Sequence, residues 1–163
     1  QRSTLLAVAN RLDNIDSSSD VFPTTDFVAV TDPEGDNNAA IYMTKKVTLE
    51  NPGTALRIFF AGYRHSSAEI KVLYKTLRTD DASDFDDLGW TYFNTTGTTD
   101  TTTNTSLTVD DFQQYEYSAG VKDDGTETAL DEFISFSIKI VMQGTNSSEP
   151  PRIKDLRCIA LAT

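Results

Sequence analysis

Alternation is the property that most narrows what this chain can become. From Ile134 to Met142 the run Ile-Ser-Phe-Ser-Ile-Lys-Ile-Val-Met sets a large apolar side chain at every even position. A period of two matches a β-strand that buries one face, and it does not match the helical repeat. Pro150-Pro151 marks a connection after it, because two prolines cannot donate to a sheet ladder. A second apolar run, Ile153 to Leu161, closes the chain. It is expected to lie inside a sheet and to pair with the first.

Similar segments recur upstream. Phe27-Val28-Ala29-Val30 is a short strand candidate, followed by a turn-rich loop from Thr31 to Asn38. Ile41, Met43, Val47 and Leu49 alternate with polar residues, which predicts another strand with one buried face. Asn51-Pro52-Gly53 reads as a turn between neighbouring strands. Leu56–Tyr63 is apolar on both faces, so a central strand is expected there. Arg64-His65-Ser66-Ser67 turns the chain into Ile70–Leu77, expected to fold back on Leu56–Tyr63 as an antiparallel hairpin. Trp90–Phe93 reads as a short strand or a docked loop, and Phe112–Tyr117 resumes strand character. Thr95–Thr108 is a Thr/Asn/Gly/Asp tract with Leu107 as its one large apolar residue, which predicts an exposed loop.

About eight strands at roughly ten-residue spacing, with no long helical pattern, define the expected fold: an all-β, antiparallel β-sandwich of jelly-roll-like type. Residues 26–163 form this sandwich. Residues 1–25 read as an N-terminal arm or linker: Leu5, Val8, Leu12 and Ile15 fit either a short helical stripe or an extended arm docked on the domain, and Asp16–Asp20 is a polar link. The chain opens on Gln1, and the expectation is a piece of a longer polypeptide. Leu5, Leu6, Val8, Leu12 and Ile15 have no evident partner within so short a segment. They are expected to pack on another chain or an adjacent domain.

Charge limits the partners. A net charge of −11 argues against a nucleic-acid groove, which needs clustered Lys and Arg. It also repels anionic membrane surfaces. The single Cys158 sits in the last apolar run and is expected to be a buried thiol. No intrachain disulfide can form, which fits assembly in a reducing compartment.

No catalytic signature emerges. His65, the one histidine, sits at a turn with no nucleophile elbow beside it. Asp80, Asp81, Asp84, Asp86 and Asp87 form an oxygen-rich loop that is a candidate Ca2+ site. They lack the order of an EF-hand loop, and a solvated acidic loop accounts for them as well. Asp32–Asn38 has the same character. Trp90 and Tyr92 are candidate glycan contacts, with Phe93, Phe112, Tyr115 and Tyr117 nearby in sequence, although aromatic residues of a sandwich commonly fill its core. Tyr115 and Tyr117 share one strand face, as do Phe59 and Tyr63. Sequons occur at Asn94, Asn104 and Asn146. Arg152, Lys154 and Arg157 make a local basic cluster, suited to pair with Asp155, with the acidic loops or with an acidic neighbour.

Three segments carry a resemblance: DPEGDNNAAIYMTKKVTLENPGTALRIFFAGYR, IKVLYKTLRTDD and FSIKIVMQGTN…PPRIKDLRCIALAT. They resemble a domain of uncharacterised structural proteins of tailed bacteriophages, above all large virion proteins of cyanophages with contractile tails. The resemblance covers residues 27–163, and its best marker is the closing TN…PPRIKDLR…IAL pattern. It implies a non-enzymatic virion component of the tail, baseplate or fibre apparatus, assembled in the host cytoplasm. Its partners would be other virion proteins and copies of itself, and no cofactor is implied. Two other classes compete with it. One is a carbohydrate-binding module that recognises host-surface glycan through Trp90 and Tyr92. The other is a polysaccharide depolymerase, which needs two opposed carboxylates that the sequence does not single out.

Overall fold

A computed structural model describes residues 40–104, 108, 111–120, 128–144 and 149–162. The strand candidate Phe27–Val30, the loop Asp32–Asn38, Leu107, Asn146 and the whole 1–25 arm lie outside the described residues. The described chain is all-β. Eight strands run in order: β1 (Ala40–Met43), β2 (Val47–Gly53), β3 (Ala55–Tyr63), β4 (Ala68–Arg78), β5 (Thr91–Tyr92), β6 (Gln113–Ala119), β7 (Phe133–Gly144) and β8 (Arg152–Leu161). Among the described residues the one helical element is a 3₁₀ turn at Phe85–Asp87.

The strands form two antiparallel sheets packed as a sandwich. One sheet has the order β1-β7-β4-β5, with β2 continuing the edge that β1 begins along β7; the other has the order β6-β3-β8. Most consecutive strands therefore lie in different sheets, and the chain crosses the sandwich at its ends. Leu56, Ile58 and Phe60 of β3, Tyr115 and Tyr117 of β6, Ile70, Val72 and Tyr74 of β4, and Phe136, Ile138 and Ile140 of β7 meet between the sheets as one core. Alternation produces this: β3 sends Leu56, Ile58 and Phe60 inward, while Arg57, Phe59 and Ala61 face out.

Several expectations are corrected. β3 and β4 do not form a hairpin, since β3 pairs with β6 and β8 while β4 pairs with β7 and β5. The four-residue link Arg64–Ser67 crosses between sheets instead. β7 and β8 do not pair either, and among the described residues β8 has β3 as its one neighbour. The segment 41–49 is not one strand; it breaks at Thr44, whose hydroxyl accepts the Ile138 amide at 2.9 Å. Asn51-Pro52-Gly53 belongs to β2, where the register slips between Thr48 and Gly53. An irregular edge strand tolerates a proline that a central strand would not.

β7 is buried on both faces, not one. Its odd positions Ser135, Ser137, Lys139 and Val141 point away from the core but are covered. Ser135 and Ser137 bond the hydroxyls of Thr48 and Thr44. Val141 packs with Ile41 and Leu73 in a second apolar cluster, against Trp90 and Tyr92.

The Thr-rich tract is also docked more firmly than its composition suggests. Asn104 is buried; its Oδ1 accepts the Arg64 amide at 2.9 Å and its Nδ2 donates to the Asp111 carbonyl at 2.7 Å. Hydrogen bonds anchor the described part of this polar segment. Asn94 is engaged too, accepting from the Ser118 amide and donating to the Thr98 carbonyl.

Tyr117 gives the core one weak point. Its hydroxyl is buried with no hydrogen-bond partner among the described residues, and burial pushes its pKa upward. An unsatisfied buried hydroxyl costs about 1–3 kcal/mol. Tyr117→Phe is therefore expected to raise stability by about 1 kcal/mol in urea titration at pH 7. Because the folded pKa lies above the unfolded one, the neutral phenol's contribution is complete below the ordinary value of about 10 and is lost as pH rises past it. The variant should accordingly gain further on the parent above pH ~10. A loss of stability at pH 7 would mean the hydroxyl is satisfied.

Candidate interaction surfaces

The acidic loop after β4 is built by its own carboxylates. Arg78 donates through Nε and Nη2 to both oxygens of Asp80, each at 3.0 Å, and its Nη1 lies 3.2 Å from Asp131. Asp81 accepts the Ser83 amide at 2.8 Å, and the Ser83 hydroxyl and amide together hold its carboxyl below the usual range. Asp84 caps the 3₁₀ turn by accepting the Asp86 amide at 3.1 Å. Asp86 and Asp87 stay exposed. Among the described residues no three His, Cys, Asp or Glu side chains converge on a metal-sized site. The five aspartates are spread along a loop whose geometry they fix.

That geometry presses Phe85 onto the outer face of the β1-β7-β4-β5 sheet, where it is buried. Two lysines lie beneath. Lys139 of β7 is fully buried and Lys75 of β4 nearly so. The Lys75 ammonium is 4.6 Å from the Phe85 ring centre and 5.1 Å from that of Trp90; Lys139 is 5.4 Å from Trp90, and Lys46 is 5.0 Å from Phe85. Buried cations need compensation, and aromatic faces supply it through their quadrupole. Trp90 and Tyr92 are half-buried, with Tyr92 set opposite Leu73. The structure thus brings both candidate glycan contacts together with the acidic loop, as a cover over buried lysines.

Trp90→Ala is expected to lower stability by about 2 kcal/mol, less than a fully buried aromatic because Trp90 is partly open. A freestanding sugar platform would lose its ligand on this change and keep its melting temperature. Calorimetry on the variant separates the two roles.

The outer face of the β6-β3-β8 sheet is different. Asp155 adopts φ 56°, and a bulge there shifts the register between Phe59 and Ala61. The shift puts Arg157, at an odd position, on the same face as Arg152 and Lys154. Each cation meets a ring: Arg152 over Tyr63 at 5.1 Å, Lys154 over Phe112 at 4.0 Å and Arg157 over Phe59 at 5.9 Å. Phe59 is half-buried on this face while Tyr63 is fully buried, its hydroxyl donating to Glu149 at 2.8 Å. That bond is the main cause of the raised Tyr63 pKa. Tyr115, Tyr117 and Phe93 lie in the core instead.

His65 shares a local turn contact with the Ser67 hydroxyl, 2.8 Å from Nδ1, two residues along the chain. The arm residues Leu5, Leu6, Val8, Leu12 and Ile15 lie outside the described residues. Cys158 is exposed, which corrects the buried thiol expected from its apolar run. It lies on β8, one side of which has no neighbour among the described residues. Enough atoms still crowd the sulfur to push its pKa up to about 11. Exposure governs access to the thiol and crowding governs its charge, so it is neutral at pH 7.

Sequence reasoning missed Lys75 and Lys139. A lysine between apolar residues of an alternating strand reads as solvent-facing, and the cover over it belongs to a loop whose acidity reads as surface. The available signal was Phe85 and Trp90 placed ten and fifteen residues after Lys75. No protein-family model matches the chain, and a search of curated proteins gives no match.

Proposed function

We propose that this chain is a non-enzymatic structural domain of a tailed-phage virion protein, in the tail, baseplate or fibre apparatus, and that it works through protein–protein assembly contacts. The observation that carries this reading is where the resemblance falls. The resembling segments coincide with β1 to β3, most of β4 and β7 and all of β8, which are six of the eight described strands of the sandwich. A resemblance located in the scaffold speaks for a building block. The chemistry on offer at the two outer faces supports the same reading: an acidic loop on one, and a row of cations over aromatic rings on the other. Such faces suit docking between subunits, where charge sets orientation and excludes wrong partners.

Mass spectrometry of gradient-purified particles from the encoding phage tests the proposal. Peptides of this chain at a fixed ratio to known tail proteins are the expected result. Their confinement to the infected-cell lysate would overturn it. Glycan recognition is the alternative. It gains less support, because Trp90 is half-buried beside two ammonium groups.

A further inference from the structure

One flank of the sandwich is open. Tyr42 sits opposite Ile140 and Val47 opposite Phe136, so both face the core side of their sheet. Each nevertheless keeps 39% of its surface exposed, while Ile140 is fully buried and Phe136 nearly so. Across from them Cys158 shares the inward face of fully buried Ile58 and is exposed as well. The opposite flank is closed, with Asn94 after β5 bonded to Ser118 of β6 and Phe93 edge-on to Tyr117. The difference comes from strand number: the β6-β3-β8 sheet stops at β8, whose far side pairs with nothing among the described residues.

We infer that Phe27-Val28-Ala29-Val30 adds to the free edge of β8, antiparallel to Arg157–Leu161, and closes this flank. Topology favours it. β1 begins at the end of the sandwich where β7 finishes and β8 starts, because Ala40 pairs with Met142 and Arg152 with Tyr63. A strand antiparallel to β8 finishes at that same end, ready to cross to β1. The chain already makes such crossings with the four residues 64–67 and the seven residues 145–151. The nine residues 31–39 extend to about 30 Å, enough to pass the lower half of β8 and the ~10 Å between sheets.

The pairing site follows from the bulge. Asp155 at φ 56° interrupts the lower half of β8, while Arg157–Leu161 pairs regularly with β3. Phe27–Val30 is β-branched and aromatic enough for a strand and supplies the apolar side chains that Tyr42 and Val47 lack. Charge agrees. Asp32, Glu34 and Asp36 then run past Lys154 and Arg152, both cations. Arginine and lysine on the edge, with the chain's net charge of −11, disfavour a second copy there. The inference is independent of the proposed function.

Cys158 is the only cysteine, so it reports directly. Four full-length variants, Phe27→Cys, Val28→Cys, Ala29→Cys and Val30→Cys, are oxidised with copper–phenanthroline. Two positions spaced by two should give a disulfide at monomer mass, about tenfold faster than the intervening positions or the same variants in urea. A disulfide at dimer mass would place a second copy's strand on the edge and overturn the inference. Equally slow reaction at all four positions would overturn it too. Hydrogen exchange on the unmodified chain guards against misfolded variants. The Arg157–Leu161 amides that point away from β3 should be protected by at least about 100-fold, and free exchange there overturns the inference.

Discussion

Phe60→Ala is expected to cost about 4 kcal/mol and to lower the melting temperature by about 12 °C, read by calorimetry. Phe60 is 1% exposed in β3, the central strand of its sheet. Its ring stacks on Tyr115 at 5.3 Å and 6° and on Tyr117 at 5.6 Å and 22°. Truncation removes the middle of that stack and leaves a cavity between two sheets held apart by their other side chains. Both tyrosines are fixed by strand pairing opposite and diagonal to Phe60, so their backbones cannot close the gap. The adjacent residue is the control. Phe59 lies on the outer face beneath Arg157, and Phe59→Ala should cost about 1 kcal/mol. Should Phe59 prove the costlier of the two, the register of β3 would have to be reversed.

Strands were legible in this sequence and their partners were not. The runs at Leu56–Tyr63, Ile70–Leu77 and Ile134–Met142 each lie within a strand, because alternation reports how a segment meets a core. Alternation is silent on which strand lies alongside. The link Arg64–Ser67 has the composition of a turn whether the chain folds back in its own sheet or crosses to the other one. The expected β3–β4 and β7–β8 pairs failed for this single reason. Burial of the second face of β7 was hidden differently. Lys139 and the two serines suggest water, and the covering side chains Phe85 and Trp90 come from a loop dominated by aspartates. Cys158 erred in the opposite direction: an apolar run suggests a core position, and only the sheet order reveals that β8 ends the sheet among the described residues. The basic row on β8 was visible as a cluster, while its shared face depended on the Asp155 bulge, which no local pattern announces.

Gly120→Ala should be nearly as damaging as Phe60→Ala, at about 4 kcal/mol, from a residue with no side chain to lose. Gly120 directly follows β6 at φ +99°, a conformation that costs an L-residue about 1–3 kcal/mol. The added Cβ would also stand 2.7 Å from the Thr54 carbonyl oxygen and 2.8 Å from the Ala55 Cα. Both are backbone atoms and cannot rotate aside. They belong to Thr54, the one-residue link between β2 and β3, and to the first residue of β3. The link is itself tied down, since the Thr54 amide donates to the Leu161 carbonyl and its own carbonyl accepts from the Leu130 amide, each at 2.8 Å. Relief of the clash must therefore shift β6, the link or the end of β8, and each shift breaks sheet hydrogen bonds. Gly89→Ala provides the contrast, since nothing lies within 4 Å of its Cβ position; that change should alter stability by less than about 0.5 kcal/mol. Urea titration of both variants measures the difference. Equal stability would show that the β2–β3 link yields, and that the crossing between sheets at this end is softer than its hydrogen bonds imply.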